Sequence, residues 1–162
     1  MAGGRQRSRW RLAAVLAVPA CALLAVAASG GVPRPGAHYA GASSQGGTVR
    51  FSIARHEARL RRFRIRREFR CRRGTLRSSL TGTLRLARTP IRLDGSQFHA
   101  HHVRIQGVTG STIRRGLVCL VGRFSRRARV ARGRFRERAR LRDGSRCVTG
   151  LVRFKARLRR GG

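Results

Sequence analysis

His99 and His101 come nearest to a metal site by residue type and spacing. On an extended strand two such residues project from one face about 6.8 Å apart, and two imidazoles so placed can share an ion. A closed zinc site needs four ligands and a catalytic one three. Asp94 is the only carboxylate or thiolate close by in sequence. The pair is therefore a metal candidate short of ligands, with a polar strand face as the plainer reading, and no cofactor is expected. His102 has the opposite parity and is expected to face elsewhere.

Carboxylate chemistry is even less well supplied. The acids are Glu57, Glu68, Asp94, Glu137 and Asp143. Hydrolysis by a carboxylate pair needs the two groups about 5 to 9.5 Å apart. Asp94 and Asp143 each precede a glycine and read as turn residues. Glu68 and Glu137 fall on opposite strand parities, so their side chains point apart. The chain has no nucleophile elbow, phosphate loop or dinucleotide fingerprint, and it is not expected to be an enzyme.

Arginine is abundant enough to do chemistry by number. The 162 residues carry 39 basic and 5 acidic side chains, a formal net charge of +34, and Lys155 is the only lysine. A GC-rich genome would favour arginine over lysine without any function behind it, but it explains the scarcity of acids less well. Arginine forks match phosphate and carboxylate geometry, and a charge this large attracts anionic surfaces at low salt. The arginines are also sorted. In Arg62 to Cys71, period-two geometry puts Phe63, Ile65, Phe69 and Cys71 on one face, and Arg62, Arg64, Arg66, Glu68 and Arg70 on the other. In Gly133 to Leu141, Phe135, Ala139 and Leu141 oppose Arg134, Arg136, Arg138 and Arg140. Arg67 and Glu137 break the pattern by falling on the apolar side. A bulge or a rim position near Arg67 would remove its conflict, and Glu137 could pair with an inward arginine such as Arg67.

Such ladders need strands to carry them. Val49 to Ile53, Ile91 to Leu93, Phe98 to Ile105 and Val152 to Leu158 alternate in the same way. Leu76, Leu80, Leu84 and Leu86 hold one parity. Arg72-Arg73-Gly74, Asp94-Gly95 and Asp143-Gly144 read as turns, and Gly107 to Gly116 reads as a loop. Leu117 to Val121 is apolar throughout and reads as a strand buried on both sides. The expected fold is an all-β, antiparallel β-sandwich, jelly-roll-like or Ig-like, of about eight short strands.

Ahead of it, residues 1–28 read as an export signal. Arg5, Arg7, Arg9 and Arg11 precede the apolar run Leu12 to Ala28, and small residues lead up to a cut near Ala28. The run is short for a membrane span of about 20 residues, so cleavage is expected, with an uncleaved anchor as the alternative. Residues 29–47, rich in glycine, proline and serine, read as a flexible linker in which Tyr39 could dock onto the domain of residues 48–160. The protein is expected outside the cytoplasm, extracellular or held at the cell envelope.

Several short motifs occur in a familiar order. They are Tyr39 to Gly46, Val49-Arg50-Phe51, Cys71 with its glycine turn, and Pro90-Ile91 ahead of Asp94-Gly95 and Phe98. Gly122-Arg123-Phe124, Gly133-Arg134-Phe135, Cys147 to Gly150 and Phe154-Lys155-Ala156 follow. In this order the chain resembles a group of uncharacterised, exported, single-domain β-sandwich proteins of GC-rich bacteria, over about Tyr39 to Leu158. The resemblance implies a sandwich fold and a Cys71–Cys147 disulfide, and it brings no activity. Both cysteines close a strand before a turn, where strand ends could meet, and export favours disulfides. Cys119 is then left over, and among aliphatic neighbours it reads as a small buried hydrophobe.

These readings converge on a noncatalytic, exported, cationic β-sandwich whose arginine faces meet anionic envelope polymers or an anionic lipid surface. Nonspecific nucleic-acid binding is expected in vitro. Specific base recognition is not, because the phenylalanines share the core's parity and none is left for stacking. The alternatives are a loop-mediated protein- or carbohydrate-recognition module with incidental charge and, remotely, a metal-dependent enzyme at His99 and His101. The oligomeric state stays open.

Overall fold

The computed structural model describes residues 30–86, 91–106 and 112–159, apart from the Gln106 side chain. The segment expected to be an export signal, residues 1–28, lies outside the described residues. Those that are described form ten antiparallel strands and no helix. They are β1 (His38–Ser43), β2 (Thr48–Ile53), β3 (Arg59–Arg73), β4 (Leu76–Leu86), β5 (Ile91–Asp94), β6 (Gln97–Gln106), β7 (Ile113–Phe124), β8 (Val130–Leu141), β9 (Arg146–Val148) and β10 (Val152–Leu158).

All ten belong to one hydrogen-bonded sheet. Its pairings run β10-β1-β2-β3-β5-β6-β7-β8, and β8 pairs back to β10, so the path returns to its start. The long strands change partners along their length. On one side β3 pairs with β2 around Leu60 to Ile65 and with β9 at Arg70 to Arg72. On that same pattern β8 pairs with β10 at Val130 to Phe135 and with β9 at Arg138 to Arg140. At one end, then, β3 and β8 are separated by β9 alone. At the other end β2, β1 and β10 stand between them.

Strand parity decides what goes inside. Phe63, Ile65, Phe98, Val118, Leu120, Phe135 and Phe154 are among the side chains of the main core, each 4% exposed or less. A smaller cluster of Phe69, Cys71, Ala139 and Cys147 fills the β9 end, with Leu80 of β4 and Ile113 of β7 packed against it. Between the two clusters along β3 and β8 lie Arg67 and Glu137. Arg67 is 4% exposed and Glu137 1%. Arg67 Nε and Nη2 donate to the two Glu137 carboxylate oxygens at 2.7 and 3.0 Å. No bulge interrupts the β3–β4 pairing at Arg67. The irregularity falls instead opposite β2 at Arg61 to Arg64, where Arg62 adopts φ 54°.

Three expectations need correction. The segment expected as a flexible linker, 29–47, contains β1, paired on both sides by β2 and β10. Tyr39 is 2% exposed, and its hydroxyl donates to the Ala128 carbonyl at 2.6 Å. Small residues suit β1 because the neighbouring backbone comes close: a Cβ on Gly41 would lie 1.9 Å from the Lys155 carbonyl oxygen. The expected loop Gly107 to Gly116 yields its last four residues to β7, which starts at Ile113, while residues 107–111 lie outside the described residues. The strand expected to be buried on both sides is covered on only one. Val118 and Leu120 are fully buried, Leu117 is 37% exposed, and Cys119 and Val121 are half-buried on the outer face.

Candidate polyanion-binding surface

Every arginine of the two expected ladders is exposed: Arg62, Arg64, Arg66 and Arg70 on β3, and Arg134, Arg136, Arg138 and Arg140 on β8. The ladders are far apart at their lower ends. Arg64 stands opposite Arg50 of β2 and Arg85 of β4, and Arg134 opposite Arg153 of β10. They converge at the upper ends, where Arg70 and Arg138 both face Val148 of β9.

Two residues further up, the registers align arginines on five consecutive strands. Arg77 of β4 pairs with Arg72 of β3, Arg72 with Arg146 of β9, Arg146 with Arg140 of β8, and Arg140 with Arg115 of β7. All five are exposed. Neighbouring strands lie about 4.8 Å apart, so this row crosses the strands over about 19 Å. Like charges directly opposite each other destabilise a sheet, and here four such pairs follow in succession. The row also bends, because inward side chains from β4, β3, β9, β8 and β7 pack into one small cluster beneath it.

The sequence alone marked only Arg140 of these five. Arg72 and Arg77 flank the Gly74 turn, and Arg140 and Arg146 flank the Asp143-Gly144 turn, so each hairpin pair was within reach of turn counting. The β9 pairing that joins them is a contact between distant parts of the chain with no local signature.

The acids near this charge are few, though Glu68 is exposed on the same face of β3 between Arg66 and Arg70. Glu57 pairs with Arg59 and Arg61 at the far end of β3. Asp143 lies nearer and keeps its negative charge, its two oxygens accepting from the Ser145 backbone N–H and hydroxyl, both at 2.9 Å. Those hydrogen bonds, assisted by the charge of Arg73, hold its carboxyl below the usual range. Burial pushes the Glu137 carboxyl up, and the Arg67 fork pulls against it.

Cys71 and Cys147 stand directly opposite each other on β3 and β9 and form the expected disulfide. Cys119 is not a free thiol, and it lies on the outer face rather than in the core. Its Sγ is 3.9 Å from His101 Nδ1. His99 and His101 do share a face, with ring centroids 5.2 Å apart. A bulge between Ala100 and Val103, with His102 at φ 49°, leaves His102 exposed as well. Partial burial first, then the charges of His99 and His102, lower the His101 pKa. Among the described residues no three histidines, cysteines or acids are grouped to hold a metal ion. Comparison with protein-family models, curated proteins and solved structures found no match to this chain.

Proposed function

We propose that this chain is a noncatalytic, exported, strongly cationic β-sandwich that associates with anionic polymers of the cell envelope through its outward arginines. The observation that carries the reading is the convergence of the two ladders across β9 onto one exposed face in which arginines outnumber acids. A two-layered form of the closed sheet is supported by the ring of Phe98 on β6, which meets Phe51 of β2 at 5.9 Å and Phe154 of β10 at 6.3 Å. The disulfide suits an oxidising location, as does the resemblance to exported sandwich proteins.

Retention of the purified domain on envelope material, or on heparin as a stand-in, measures the association. It should fall steeply as salt rises. Retention unchanged up to about 1 M salt, where the Debye length is about 3 Å, would sink the electrostatic reading.

A further inference from the structure

Resting on that polyanion reading, we infer that the five-arginine row binds a flexible, base-free phosphodiester chain that crosses the strands and follows the curve of the sheet. Three observations choose this partner. The row wraps around strands whose inner faces meet in one cluster, so a flat anionic surface would touch only part of it, whereas a flexible chain can follow the bend. Tyr39 and the seven phenylalanines are all buried. Among the described residues, then, no phenylalanine or tyrosine ring is exposed beside the row to serve as the aromatic platform on which single-stranded nucleic acids commonly stack their bases. Finally, each arginine faces another arginine directly. A phosphodiester carries its charge within its own backbone and offers two free oxygens. A phosphate lying between adjacent guanidiniums gives one oxygen to each and relieves their repulsion. Polymers of rigid sugar rings with pendant carboxylates follow a bend of this kind poorly.

The test compares two variants of equal charge on the full mature chain. One carries Arg72→Gln, Arg140→Gln and Arg146→Gln in the row. The other carries Arg92→Gln, Arg127→Gln and Arg129→Gln, which are exposed and lie away from it on β5 and in the β7–β8 turn. The probe is a polyglycerol phosphate of defined length, with oligo(dT), polygalacturonate and vesicles of mixed neutral and anionic phospholipid as comparators. For a flexible chain the salt slope, d log K/d log[salt], is about −0.7 per phosphate contact. Four phosphates, one in each gap of the row, then contribute about −2.8 to the parent slope, and the row variant, left with no adjacent pair, should lose that contribution along with at least a tenfold loss of affinity at low salt. The far-end variant should lose less than threefold and keep the parent slope. Circular dichroism checks that both variants fold. Equal losses in the two variants would overturn the row while leaving general polyanion binding in place. Tighter binding of oligo(dT), polygalacturonate or vesicles than of the polyol phosphate would overturn the choice of partner. No salt-sensitive binding by the parent to any probe would overturn both this inference and the reading beneath it.

Discussion

Arg67 and Glu137 show how a single ion pair can separate two clusters of a core. The bidentate contact satisfies both charges, and Thr149 adds to it by accepting from the Glu137 backbone N–H at 2.9 Å. The Arg67 guanidinium also lies 4.6 Å from the centre of the Phe69 ring, within range of a cation–π contact. Removing one partner strands the other charge in the interior. Arg67→Met should therefore cost about 3–5 kcal/mol, read as a lowered urea midpoint with the disulfide intact. Arg67→Met combined with Glu137→Leu should recover most of that loss, since a buried pair replaced by apolar groups is often neutral. This pairing was legible in the sequence because both residues broke the same alternation and carried opposite charges. The outward face of β7 was not legible. Apolar letters on both parities suggest cover on both sides, whereas here Leu117, Cys119 and Val121 simply line the outside beside the histidines.

Among the elements, β7 and β8 depend on a pair of glycines. Gly122 and Gly133 stand opposite each other. A Cβ on Gly122 would lie 2.2 Å from the Phe98 ring, and one on Gly133 would lie 2.3 Å from the Phe154 ring. Each phenylalanine comes from the strand on the outer side of its glycine and lies across the space a side chain would fill. Gly133→Ala should force Phe154 from its place and cost about 1–3 kcal/mol by overpacking, measured by denaturant titration. Elements with a clean alternation, β3, β8 and β10, could be read from sequence. β1 could not, because Ala40, Gly41 and Ala42 carry no apolar rhythm and composition alone suggests a linker. What makes it a strand is the backbone of β2 and β10 on either side, which no local window contains.

At the scale of the whole molecule, antiparallel β structure followed from alternation, but the return of the sheet through β8–β10 and the bridging role of β9 depend on pairings between distant segments. The Cys71–Cys147 bridge fixes one of these, and the two cysteines are 76 residues apart. A loop of that size contributes about 4 kcal/mol by restricting the unfolded chain. The double variant Cys71→Ser, Cys147→Ser should lose about that much in thermal or denaturant unfolding. The bridge has a second consequence, because Cys71 is flanked by Arg70 and Arg72, and Cys147 follows Arg146. The covalent tie joins β3 and β9 immediately below the place where their guanidiniums face each other. It acts as a clasp on a spring of like charge. The oxidised and reduced forms of this chain therefore differ in how tightly their cations are gathered, as well as in how firmly the molecule is folded.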